Sequence, residues 1–213
     1  MDNTFVVELQ NSVFYYKLFD NQDVVMIYVA GSRLCDATDD RSDYDLIVLV
    51  NGEDQDNPSE FLMYKGRKVH WYWRNVETLI NAKNTYPMWC YGSVLFGYIC
   101  DDCIIYKNEK YADQINFLLS HKHGIALKGA EEFYKTQERL VEEICSKLRI
   151  DEKNYTKFLG HLCVTSYYVL NEPIDKELVL KAKRIRWQPV TEEDKQKIIQ
   201  RLLLLKNWIE NNK

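Results

Sequence analysis

No apolar run in this chain approaches the roughly 20 residues that a membrane span requires, so a membrane-embedded protein is not expected. The opening residues, MDNTFVVELQ, start acidic and lack the basic-then-apolar layout of a secretory leader. A cytoplasmic protein is therefore the expectation. No internal repeat and no low-complexity tract is present. Charge of one sign is not in large excess either. The net charge of −4 argues against a surface that is everywhere an electrostatic footprint for nucleic acid, and leaves room for a local basic patch. Six cysteines (Cys35, Cys90, Cys100, Cys103, Cys145 and Cys163) are irregularly spaced. Without an export signal they read as reduced thiols rather than a disulfide framework. Cys100 and Cys103 form one C-x2-C with no second pair at zinc-finger spacing. Cys90 could join them in space, but a turn between two apolar segments is the simpler reading.

What is present suits an ordinary soluble globular protein: 213 residues, 46% hydrophobic and 28% charged. That length allows one large domain or two small ones with a substantial core. The most informative stretch is residues 24–50. An apolar run, Val24 to Ala30, ends in Gly31-Ser32. A polar connection, Leu34–Arg41, follows, and a second apolar run opens with Asp43-Tyr44-Asp45. On a strand, residues two apart share a face roughly 6.5–7 Å from each other, so Asp43 and Asp45 project together while Tyr44 and Leu46 face away. Two carboxylates at the mouth of a buried strand repel, and desolvation adds to the cost. A divalent cation bound through oxygen is the usual remedy. Gly31 lets the backbone approach a phosphate closely, and Ser32 adds a hydroxyl and an amide. A solvated turn is common before a strand for one Asp, and much less so for two on one face below a Gly-Ser.

Gly31-Ser32-Arg33 … Ser42-Asp43-Tyr44-Asp45-Leu46 resembles the signature of the DNA polymerase β-like nucleotidyltransferase superfamily, and in particular its small bacterial and phage members. The resemblance covers about fifteen residues. It implies an α+β fold with an N-terminal mixed β-sheet and flanking helices; from about Tyr111 apolar residues fall at helical spacing, so a C-terminal helical bundle is expected, dividing the chain as 1–110 and 111–213. The resemblance also implies transfer of a nucleoside monophosphate from an NTP such as ATP to a hydroxyl. Asp43 and Asp45 would hold Mg²⁺, or Mn²⁺, and Gly31, Ser32 and Arg33 would grip phosphates. The family carries a third acid on a later strand, where this chain has Lys68-Val69-His70-Trp71. His70 stands at that position. An imidazole accepts protons near neutral pH but is a poorer ligand for hard Mg²⁺ than a carboxylate. Three readings stay open: His70 replaces the acid, Glu60 or Glu77 reaches the metal instead, or the chain binds nucleotide without transferring it. The last would make it an antitoxin-like or regulatory module.

Elsewhere, Phe5, Leu9, Val13 and Tyr16 predict one amphipathic helix over residues 4–19, with Thr4 as N-cap. Strands are expected at 24–30 and 42–50, then a surface loop at 51–59, and a hairpin of 61–64 with 68–73 around Lys65-Gly66-Arg67. A short helix should precede Pro87. Residues 91–98 and 104–106 read as strand or buried extended chain; Trp71, Trp73 and Trp89 could stack on a base, but buried core aromatics are the simpler reading for most of them. Helices are expected near 111–121, 125–148, 154–170, 175–186 and 192–210, with Gly124 at a connection and Asp175 and Thr191 as N-caps. In the relatives this chain resembles, a helix bearing a His is followed by one bearing a basic residue. Lys157 and His161, four apart on one face, are the nucleotide-binding candidates here, ahead of the basic run Lys181–Arg186. The acceptor, whether small molecule, RNA end or protein, is not legible.

Overall fold

Two apolar runs pair antiparallel at the centre of the molecule: β1 (Val24–Ala30) and β2 (Tyr44–Val50). In this computed structural model, residues 3–19, 23–35, 37–38, 42–54, 62–82 and 87–212 are described. Beside β2 lies β4 (Arg67–Asn75), parallel to it, followed by β3 (Leu62–Tyr64) at one edge. β5 (Ile104–Lys107) pairs antiparallel with β1 at the other. The result is a mixed five-stranded sheet of order β3-β4-β2-β1-β5. The β3–β4 hairpin turns at Lys65 and Gly66, both at positive φ (47° and 74°), which matches the right-handed twist of the strands it joins. The expected hairpin is thus observed, with Phe61 and most of the 51–59 loop outside the described residues.

Period-two alternation divides the sheet into two faces. One face buries Ile27, Val29, Tyr44, Leu46, Val48, Val69, Trp71 and Trp73 against Phe5, Leu9 and Leu18. Those last three residues come from or follow α1 (Asn3–Gln10) and α2 (Val13–Lys17). The single helix expected over 4–19 is therefore two, broken at Asn11-Ser12, where the Ser12 hydroxyl donates to the Leu9 carbonyl. A side chain that takes a backbone carbonyl competes with the helix ladder there. The break shifts the helical phase, so Tyr16 is 72% exposed instead of facing the core. Thr4 falls inside the first turn of α1; its side chain is outside the described residues.

On the other sheet face lie the remaining helices, joined with it in one apolar cluster: α3 (Val76–Asn81), α4 (Pro87–Phe96), α5 (Ala112–Ser120), α6 (Lys122–Lys147), α7 (Phe158–Val169), α8 (Lys176–Arg184) and α9 (Glu192–Asn211). Residues 91–98 are not the expected extended segment, because α4 occupies 87–96. Proline is well suited to the first helical position, where its missing N–H is not needed. With Cys90, Tyr91, Ser93, Val94, Leu95 and Phe96 all buried, α4 has little polar face to reveal a helical period. Gly124 lies within α6 and marks no connection. Asp175 and Thr191 cap α8 and α9 by accepting from the Leu178 and Asp194 backbone N–H groups, as expected. One apolar cluster runs from Met26 and Leu49 on the sheet through α4, α6 and α7 to Leu205 and Ile209 on α9.

Candidate active site

Asp45 opens β2 on the helix-covered face and stands opposite two backbones. Across the antiparallel pair it faces Ala30, and across the parallel pair it faces His70. This register places His70 beside the paired acids. His70 Nε2 lies 3.8 Å from Asp43 Oδ2, and Asp43 Oδ1 accepts from the Lys68 N–H at 3.2 Å. Ile47 and Tyr72 continue the same face one step further in, and Arg74 follows on β4.

Gly31 follows β1 and begins a single 3₁₀ turn, Gly31–Arg33, at φ 65°. A Cβ at this position would collide with the Asp45 carboxylate, so the glycine is required both by its left-handed backbone and by that approach. Ser32 sits half-buried on the same turn, its carbonyl accepting from the Ala37 N–H at 2.9 Å. Arg33 is committed elsewhere. Its guanidinium stacks 3.6 Å over Tyr44, on the opposite face from Asp45, and donates to the Ser42 carbonyl at 3.0 Å. It braces the connection between the strands and influences Asp45 only through its charge.

Burial is the largest influence on Asp45 and raises its pKa; Asp43 raises it further, while His70, Lys183 and Arg33 oppose the rise. Lys183 was not singled out within the basic run, yet it is the member that reaches the site. Gly160 on α7 lets α8 approach, since a Cβ there would strike the Lys183 side chain and come within 2.9 Å of its backbone nitrogen. Half-buried, Lys183 has its pKa lowered by desolvation, against which Cys35 and Asp45 work. Lys181, by contrast, is held by Glu177 and Asp194 on the outside.

Behind Asp45 opens a cavity of about 330 Å³ between the sheet and α4. Gly31, Asp45 and Lys157 line it, together with Tyr28, Tyr72, Arg74, Trp89 and Tyr91. His161 is one layer further back: it is buried and stacks on Tyr91 with ring centroids 4.2 Å apart. Desolvation, with Lys183 and Lys157 adding repulsion, drives its pKa well below 6.5 and keeps the ring neutral. Trp71 and Trp73 lie in the opposite core, leaving Trp89 as the tryptophan at the cavity. Glu77 lies in the first turn of α3, beyond the end of β4, where its N–H donates to the capping Asn75 side chain and its carboxylate accepts from Asn81; it is remote from His70. Glu60 is outside the described residues. Cys90 donates to the Ala82 carbonyl and does not join Cys100 and Cys103, whose sulfurs are 3.2 Å apart.

Among the described residues, no group of three or more His, Cys, Asp or Glu side chains is placed to hold a metal ion unaided. The donors present nevertheless suit Mg²⁺, which is held through one or two carboxylates and completes its shell with water and substrate phosphates. A desolvated Asp45 with a like charge beside it is the group such a cation would relieve.

No family model matches the chain, and no curated protein matches it. Among solved structures, the chain is similar to a nucleotidyltransferase-like protein from Exiguobacterium sibiricum, at 12% identity and a TM-score of 0.32, over 96% of this chain and 74% of that one. No helix among the described residues is long and apolar enough to cross a membrane.

Proposed function

We propose that the chain is a nucleotidyltransferase that moves a nucleoside monophosphate from an NTP to a hydroxyl. The observation that carries the reading is the contact of the Gly31 turn with the desolvated Asp45 carboxylate at the mouth of a cavity, with Asp43 and His70 alongside. The spacing of Gly31-Ser32 and Asp43-Tyr44-Asp45, and the family it resembles, support the same reading. Asp43 and Asp45 would hold Mg²⁺, or Mn²⁺, which when bound neutralises the triphosphate and aligns the attacking and leaving oxygens. Gly31 and Ser32 offer a backbone a phosphate can approach, and Lys157 and Lys183 supply positive charge for the pyrophosphate that departs. The acceptor oxygen bonds to the α-phosphorus as the bond to the β-phosphate bridge breaks. His70, half-buried beside Asp43, would take the hydroxyl proton.

A second reading has an observation of its own. The strand position opposite Asp45 carries an imidazole rather than a carboxylate, as it would in a protein that binds nucleotide without turning it over. Incubation with each NTP and Mg²⁺ or Mn²⁺, across RNA, protein and small-molecule acceptors, separates the two. Pyrophosphate release that is abolished by Asp43→Ala/Asp45→Ala supports transfer. Calorimetric binding without release from any acceptor supports the binding module.

A further inference from the structure

We propose that the cavity behind Asp45 takes the base of the nucleotide and that Arg74 reads an oxo group on its edge, favouring guanine and uracil nucleotides over adenine and cytosine. This rests on the nucleotide reading above and specifies its substrate. His70, Tyr72 and Arg74 share one sheet face, and four residue steps of strand, about 13 Å, carry the first to the last. That span is comparable to the reach from an α-phosphate to the far edge of a base. Tyr28, Tyr72, Trp89 and Tyr91 give the cavity aromatic walls of the kind on which a flat ring stacks. Asp45, at its mouth, is the sole acid among the described lining residues, whereas Arg74 and Lys157 are cations. A polycationic ligand has nothing to pair with beyond the mouth.

Arg74 is 6% exposed, and its guanidinium lies 3.6 Å over the Trp89 ring, which fixes its plane. A guanidinium only donates hydrogen bonds. Guanine offers N7 and O6 and uracil offers O4, all acceptors, whereas adenine N6 and cytosine N4 would set N–H against N–H in a desolvated place. The hydroxyl of Tyr91, buried with no hydrogen-bond partner among the described residues, is a second polar group that a ligand in the cavity would satisfy.

The test is calorimetric titration of the protein with Mg²⁺ and GTP, UTP, ATP, CTP, inosine triphosphate and 2-aminopurine riboside triphosphate. The last two respectively keep and lose the 6-oxo group. GTP, UTP and inosine triphosphate are expected to bind about tenfold or more tightly than the other three. Arg74→Gln, whose amide also accepts, should narrow or reverse that ratio, with its fold checked by circular dichroism. Should that variant not fold, the wild-type base series decides alone. ATP binding as tightly as GTP, or selectivity unchanged in folded Arg74→Gln, overturns the inference and leaves the nucleotide reading standing. No binding of any NTP by the wild type overturns both.

Discussion

Asp45 concentrates the site's electrostatic cost in one side chain. Burial, and then Asp43, raise its pKa, so between the ordinary carboxylate value of 3.8 and the raised folded value the native chain holds more protons than the unfolded one. Stability from this residue therefore falls as pH climbs through that window. Asp45→Asn removes the ionisation. Its Tm should exceed the wild-type value near neutral pH in metal-free buffer, and the two should converge below pH 3.8, while pyrophosphate release is lost. Thermal melts across pH check the sign. Gly31→Ala acts at the other side of the same contact, forcing a Cβ into the carboxylate at φ 65°. It should cost about 1–3 kcal/mol of stability, read by urea denaturation, and weaken nucleotide binding with it. These two residues were legible in one dimension because their chemistry is local: a glycine after a strand, and acids two apart. Arg74, and the choice of Lys183 within its basic run, were not, because a charge in a sequence looks the same on a solvated face as inside a cavity.

Among the elements, β1, β2, the hairpin and the capped helices announce themselves through alternation, turn glycine and N-cap residues. The register that sets His70 opposite Asp45 needs only the parallel pairing of β2 with β4. α4 did not announce itself, since helix α6 and the sheet bury it on several sides and its apolar residues lose the helical period. The α7–α8 contact has the most direct consequence for the site. Gly160→Ala should push α8 outward, costing about 1–3 kcal/mol by overpacking and withdrawing Lys183 from Asp45. Loss of turnover larger than the loss of ground-state nucleotide affinity is the expected pattern, measured as kcat against KM. An unchanged kcat would leave Lys183 without a part in the reaction.

At the scale of the whole chain, the sheet's site-bearing face and the helices after residue 111 share a single apolar cluster, reaching from Met26 to Ile209. A fragment ending at residue 110 would expose that face, including Leu49 and Val94. It should give a circular dichroism melt without a cooperative transition; a sharp transition would show that the sheet region stands alone. The same sharing puts Lys157 and Lys183, from the helical part, against a site built on the sheet. The central claim is that Asp43 and Asp45 accept a triphosphate only through a divalent cation. Titrating a non-hydrolysable NTP into wild type and Asp43→Asn/Asp45→Asn, with and without Mg²⁺, tests it directly. With Mg²⁺ the wild type should bind more tightly; without it the order should reverse, because two bare carboxylates then repel the phosphates. The same order of affinities in both buffers would contradict the account.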